Sequence, residues 1–231
     1  MTNKAPQETL AALTEVAFAL GPLADQVVFV GGAILGLLLT DPAAPPIRIT
    51  EDVDLVMEAA TLGAYQDFDR ALLKSGFRND PSRHMWSYRI GKRLVDVLPS
   101  EPGPFGLSGE WTKYALRHYF VYALLEGLQI KVVSAPCFLA LKLEAFADRG
   151  KGDFLHKDVE DIIALIDGRP ALIPELSGSQ DEALKTYVRQ QVFHLKQNLI
   201  AATPGHLGSG PGERLRIPLV LSRIEQLGAS L

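Results

Sequence analysis

A fold of class α/β (α+β), a mixed sheet flanked by helices and continued by a helical C-terminal subdomain, is predicted by three observations. Short β-branched runs at 27–30, 53–57 and 94–98 alternate with helical stretches across residues 1–134. Glycine-containing junctions at Gly31-Gly32 and Gly91-Lys92 punctuate those runs. From Ala135 to the end, apolar residues recur at helical spacing, separated by Gly and Pro turns. The expected division is therefore a sheet domain, 1–134, and a helical subdomain, 135–231.

Taken in order, residues 9–20 place apolar side chains three and four apart and predict a helix leading into the first strand, 27–30. Gly31-Gly32 follow, and the apolar run 33–39 predicts a short buried helix. Asp41-Pro42-Ala43-Ala44-Pro45-Pro46 then reads as a rigid loop. Strand 53–57 and an amphipathic helix at 62–75 come next. Strands 85–90 and 94–98 are joined by Ile90-Gly91-Lys92-Arg93, the turn of an antiparallel hairpin. Pro102-Gly103-Pro104 breaks the pattern, after which 119–124 and 129–133 predict a further hairpin around Glu126-Gly127. Helices are predicted at 135–149, 157–167, 180–201 and 212–227. The glycine-rich stretch 203–212 follows a long helix and contains two prolines, so it reads as a flexible connection rather than a phosphate loop.

The 231 residues are 47% hydrophobic, enough for a substantial core, and the formal charge of −4 gives no global basic footprint. Nucleic-acid binding would need a local patch. The single cysteine, Cys137, excludes an intramolecular disulfide and a cysteine-built zinc site, and fits a small buried hydrophobe. His84, His118, His156, His194 and His206 lack metal-ligand spacing. The first eight residues carry no secretory pattern and no run reaches membrane-span length, so a cytoplasmic protein without a membrane partner is expected.

The chemistry concentrates in Thr50-Glu51-Asp52-Val53-Asp54-Leu55. Two aspartates at i and i+2 of a strand leave the same face of the sheet, so Asp52 and Asp54 share one site while Val53 and Leu55 point into the core. Carboxylates this close repel unless a cation lies between them. Mg²⁺ suits such an open site, because it takes a few carboxylates and completes its shell with water and phosphate oxygens. Asp96, in the second β-branched run, supplies the third carboxylate that two-metal chemistry needs. Gly31-Gly32 sit at a strand-glycine-helix junction, where backbone amides and the helix dipole favour a phosphate.

The order of glycine pair, short helix, Asp-x-Asp strand and later aspartate resembles the DNA polymerase beta-like nucleotidyltransferase superfamily. Within it the chain looks most like the AbiEii-type abortive-infection and toxin nucleotidyltransferases. Arg48-x-Thr50-x-Asp52-Val53-Asp54-Leu55 resembles that group's motif, as do Leu141-Lys142-Leu143-Glu144-Ala145, Asp148-Arg149 and Lys157-Asp158-Val159-Glu160-Asp161-Ile162. The resemblance spans roughly residues 25–167. It departs from the broader pattern at Gly31-Gly32, where many members carry Gly-Ser.

The resemblance implies a polymerase-beta-like fold and transfer of a nucleoside monophosphate from an NTP to an acceptor hydroxyl, with pyrophosphate leaving. Asp52, Asp54 and Asp96 would then be the catalytic and metal-binding residues, holding two Mg²⁺ ions. Gly31, Gly32, Arg48, Thr50, Lys142, Lys157, Asp158 and Asp161 would belong to the nucleotide side. The acceptor is open between RNA such as a tRNA end, a protein side chain and a small molecule, and a toxin of this kind would have an antitoxin partner. The alternative is a catalytically idle nucleotide-binding or partner-binding module. Bland readings stand beside several of these residues: Lys142 as a snorkelling lysine, Arg149 and Lys151 as cations at a helix C-terminus, Glu160 as a first-turn acid. Arg83, His84, Lys92 and Arg93 form a basic cluster that is either a solvated strand edge or an acceptor patch.

Overall fold

The computed structural model describes residues 5–50, 52–59, 61–100 and 109–229; Glu51 and the Pro102-Gly103-Pro104 break lie outside them. The described chain divides into a sheet unit, Ala5–Ile34 with Arg48–Ser134, and a helical unit, Leu35–Ile47 with the chain from Ala135 onward.

In the sheet unit, α1 (Gln7–Leu20) buries Ala12, Leu13, Val16 and Leu20, spaced as one helical face requires. A 3₁₀ segment, Gly21–Gln26, turns the chain into β1 (Val27–Val30), which is buried along its whole length. β2 (Asp52–Met57) runs antiparallel to β1 and parallel to β5 (Arg93–Pro99). Strands buried on both faces read as continuous apolar runs, and β1 is such a strand. α3 (Leu62–Lys74) is capped by Thr61, whose hydroxyl accepts the Ala64 N–H at 3.2 Å, and it buries Tyr65, Phe68 and Leu72.

Among the described residues the mixed sheet has seven strands, in the order β3-β4-β5-β2-β1-β7-β6. β3 (Arg78–Asn79) and β4 (Ser87–Ile90) lie beyond β5, and β6 (Tyr119–Ala123) and β7 (Gln129–Val133) lie beyond β1. The β4–β5 hairpin closes over Gly91-Lys92 with Ile90 opposite Arg93, and Gly91 takes φ +55° as its turn requires. The expected strand at 85–90 begins only at Ser87. β3 was not predicted, because two exposed polar residues carry no β pattern. A single helical turn, α4 (Thr112–Ala115), precedes β6.

The helical unit contains α2 (Leu35–Leu38), α5 (Ala135–Arg149), α6 (Lys157–Gly168), α7 (Leu172–Gly178), α8 (Glu182–Leu207) and α9 (Pro211–Leu227). α8 runs through Pro204 to Leu207, so most of the expected flexible connection is helix and only residues 208–210 link α8 to α9. Thr203 Oγ1 donates to the Leu199 carbonyl at 2.7 Å in this last stretch. A Cβ on Gly228 would meet the Phe193 backbone at 3.3 Å, so α8 and α9 approach closely there.

Leu35–Ile47 belongs to this unit although it precedes residue 135 in sequence. The amides of Thr40 and Asp41 both donate to the Gly168 carbonyl at 2.9 Å, and Arg169 Nη1 reaches the Leu38 carbonyl at 2.6 Å. Arg216 on α9 donates to Asp167 at 2.8 Å and to Asp41 at 2.7 Å. A side chain on Gly168 would strike Leu39 at 2.8 Å. An apolar segment flanked by an aspartate is thus gathered into the helices by hydrogen bonds that a linear division of the chain does not anticipate.

Candidate active site

Asp52 and Asp54 alternate with the fully buried Val53 and Leu55 along β2, so their side chains share the opposite, partly exposed face. The parallel register sets Asp54 directly beside Asp96 of β5, and Asp52 beside Leu94. Register partners point to the same side, which brings the three aspartates onto one face of two adjacent strands. Val95 and Val97, both fully buried, anchor β5 as Val53 and Leu55 anchor β2.

Each carboxylate also has a neighbour of its own. Asp96 Oδ1 accepts from the hydroxyl of Ser87, its register partner on β4, at 2.5 Å. Asp52 Oδ2 lies 3.7 Å from Arg83 Nη1. Asp54 packs against Gly31, which follows the end of β1 at φ +70°; a Cβ built there would fall 1.8 Å from Asp54 Oδ2. Glycine is required at this position for two reasons, the positive φ and the carboxylate itself. Gly31 therefore makes room for Asp54, a role distinct from the phosphate contact expected of it.

Among the described residues, no three His, Cys, Asp or Glu side chains converge as a ready-made metal cage. The donor set nevertheless has the chemistry for Mg²⁺: hard oxygen ligands, like-charged, on one face, and partly open to solvent. Gly32 opens a 3₁₀ turn, Gly32–Ile34, and the α-helical part of the following segment is the four residues of α2. So short a helix has almost no macrodipole, so any phosphate binding by Gly32 would rest on local amides rather than on a helix field.

Arg48 and Thr50 shape the entry to β2. Arg48 Nη1 donates to Thr50 Oγ1 at 3.4 Å, while Thr50 exchanges backbone hydrogen bonds of 3.4 Å with the buried Thr9 hydroxyl on α1. This ties the strand's first turn to a helix of the same unit.

Lys142, Asp158 and Asp161 are brought together within the helical unit. Lys142 is buried, with Nζ 2.6 Å from Asp161 Oδ2 and 3.2 Å from Asp158 Oδ1, and it lies over the Phe138 ring. Asp158 also accepts a fork from Arg149, at 2.8 and 2.9 Å. His156 caps α6 by accepting the Asp158 N–H on Nδ1 at 3.2 Å. Burial alone would raise the Asp158 pKa; Arg149 and Lys142 outweigh it and hold this carboxyl at about 2. Lys142 is not a snorkelling lysine: its ammonium is paired with two buried aspartates of its own unit. Arg149 serves Asp158 and not merely a helix end. Lys157 is exposed in the first turn of α6.

Two residues at the aspartates escaped a role in the sequence. Ser87 had a signal: with Ile90 opposite Arg93 across a two-residue turn, stepping three residues along each strand pairs Ser87 with Asp96. Arg83 appeared only as one member of a basic cluster. Of the other members, Arg93 is buried and forked on Glu15 at 2.7 and 3.0 Å, and His84 stacks on Trp86.

No family model matches this sequence, and no curated protein matches it. Among solved structures, it is similar to ANT(2")-Ia in complex with adenylyl-2"-tobramycin, with TM-score 0.44, 13% identity and coverage of 68% of this chain and 86% of that one. A solution structure of the antibiotic-resistance factor ANT(2'')-Ia gives 0.47 and 13%, covering 82% and 95%. An antigenic nucleotidyltransferase-like protein from Paracoccidioides brasiliensis gives 0.52 at 23% identity, covering 86% of this chain and 93% of that one. Among the described residues no helix is long and apolar enough to cross a membrane. The mixed sheet with its helices is the fold of a nucleotidyltransferase-like protein.

Proposed function

We propose that this chain is a Mg²⁺-dependent nucleotidyltransferase that moves a nucleoside monophosphate from an NTP to an acceptor hydroxyl and releases pyrophosphate. The observation that carries the proposal is the placement of Asp52, Asp54 and Asp96 on one face of neighbouring parallel strands. Three carboxylates in that arrangement are costly unless cations occupy the space before them. The nucleotidyltransferase-like fold supports the same reading.

Asp52 and Asp54 would hold two Mg²⁺ ions, with Asp96 as a further ligand to the one on the acceptor side. Bound Mg²⁺ supplies neutralisation of the leaving pyrophosphate and lowers the pKa of the acceptor hydroxyl. The chain's own residues do the rest. Ser87 fixes Asp96 through Oδ1, which leaves Oδ2 to receive the acceptor's proton. Gly31 keeps the space in which the Asp54 carboxyl sits, and Gly32, at the start of the 3₁₀ turn, would offer its backbone amide to the phosphates. The buried Val53, Leu55, Val95 and Val97 hold both strands rigid, so the acidic face is preorganised.

The acceptor bears a hydroxyl: the AbiEii-like motifs suggest an RNA end or a protein side chain, with a toxin role and a cognate antitoxin as the corresponding setting, and a small hydroxylated molecule is the alternative. Incubation with each NTP and Mg²⁺ in cell lysate, following label and pyrophosphate, tests the activity and identifies the acceptor. Asp52→Ala should abolish turnover while the protein stays folded. Undiminished turnover in that variant refutes the assignment, and metal-dependent NTP binding by the wild type without pyrophosphate release points to the idle module instead.

A further inference from the structure

The aspartate face is met by a cation from the same unit. Arg83 Nη1 lies 3.7 Å from Asp52 Oδ2, and both side chains are well exposed, 38% and 44%. The turn that carries Arg83 is pinned by backbone bonds: Asp80 N–H to the Ser87 carbonyl at 2.9 Å, Arg83 N–H to that of Asp80 at 3.1 Å, and Val97 N–H to that of Trp86 at 2.9 Å. Asp80, itself buried, accepts from the Ser82 amide and hydroxyl at 3.1 and 2.6 Å and from Arg89 at 2.7 Å. His84 and Trp86 stack flat, 4.5 Å between ring centres. The backbone under Arg83 is therefore fixed beside β5, and its long side chain is the part left to move.

The contact with Asp52 is loose. At 3.7 Å it falls short of hydrogen-bond distance, whereas Arg149 grips Asp158 with two bonds under 3 Å. An exposed pair of this kind holds weakly. A divalent cation at Asp52 would compete for the same carboxylate and repel the guanidinium. The planar fork of arginine then matches the phosphate oxygens that arrive with the nucleotide.

Resting on the NTP-transfer reading, we infer that Arg83 is a phosphate-binding residue of this site: it neutralises Asp52 in the metal-free protein and turns to the triphosphate once metal takes Asp52. No bond is made or broken in this exchange; one ion pair is traded for another. The trade has a signature that a general structural role lacks, because losing Arg83 should help metal binding and hurt nucleotide binding.

Two titrations on the full chain test it, with wild type, Arg83→Gln and Arg83→Lys compared. Mn²⁺ alone is followed by electron paramagnetic resonance, and each NTP with Mg²⁺ by calorimetry. Arg83→Gln should bind Mn²⁺ up to about fivefold more tightly, the range an exposed ion pair allows. Its NTP dissociation constant should rise about tenfold or more, as expected for a lost charge-assisted hydrogen bond. Arg83→Lys should keep the competition with Mn²⁺ and recover part of the NTP affinity. Affinities that move in the same direction, or do not move, overturn the role of Arg83 while leaving the site intact. Wild-type protein that binds neither Mn²⁺ nor NTP overturns both the site reading and this inference.

Discussion

Gly31→Ala places a methyl group where the Asp54 carboxyl now lies. The added Cβ would be 1.8 Å from Oδ2, 2.6 Å from Cγ and 2.8 Å from Cβ of Asp54, at a residue with φ +70°. The positive φ alone costs an alanine about 1–2 kcal/mol. The clash adds to that unless the Asp54 side chain leaves its rotamer, a displacement costing about 1 kcal/mol. The expected total is about 2–3 kcal/mol, read as a lowered midpoint in urea unfolding. The functional effect should be far larger, since the residue that yields is a proposed metal ligand: about a hundredfold or more in NMP transfer, the scale for misplaced catalytic groups. Asp54→Ala gives the control. It removes the Oδ2 and Cγ contacts and leaves only the 2.8 Å one to the Asp54 Cβ, which the backbone of β2 must still yield to. In the Asp54→Ala background, Gly31→Ala should therefore cost about 1 kcal/mol less than in the wild type. Additive costs within about 0.3 kcal/mol would show that the carboxylate is not what forbids a side chain at residue 31.

Two further outcomes follow from the hydrogen-bonded carboxylates. Ser87→Ala, at a fully buried position, should cost about 1 kcal/mol in stability, and it should lower kcat about tenfold with little change in the KM for NTP, because only the hold on Asp96 is lost; a loss confined to KM would place Ser87 in substrate binding instead. Asp158 titrates at about 2 in the folded protein against an ordinary 3.8, so it contributes about 2 kcal/mol that is fully present above pH 4 and lost as pH falls through about 2. Urea midpoints of wild type and Asp158→Asn should accordingly converge between pH 4 and pH 2, and a gap that stays constant over that window would refute the charge network as its source.

The strands and helices with strong periodicity were legible in the sequence: β1, β2, β5, the β4–β5 turn and the helices α5, α6, α8 and α9 all rest on apolar spacing or on a glycine at a turn, whereas the seven-residue α7 is too short to show a period. β3 was not, because Arg78 and Asn79 pair through backbone alone and show no apolar side. Pro204 misled, since it signals a helix end while the buried Leu199, Thr203 and Leu207 continue one face of α8 across it. The shared face of Asp52 and Asp54 follows from strand geometry, and needs nothing but the alternation of side chains. The place of Asp96 required the parallel register of β2 on β5, fixed by tertiary packing and written in neither strand by itself.

Lys142 shows the opposite limit. A lysine among Leu139, Leu141 and Leu143 has the same sequence signature whether it reaches a substrate or balances buried acids, because the pattern reports only that its stem is apolar and its tip charged. What separates the two is the position of Asp158 and Asp161 on a different helix, sixteen or more residues away. Once Lys142 is buried beside them, removing either partner strands charge in the core, so the trio must be kept together by folding energetics alone. Retention of Lys142, Asp158 and Asp161 would therefore be expected with or without a substrate contact. By contrast, Asp52, Asp54 and Asp96 are partly exposed, and like charges gathered on one face lower stability. A group that costs the fold and is not required by it is the better guide to chemistry, and on that criterion the sheet aspartates, rather than the helical cluster, are the residues on which the proposed activity should be tested first.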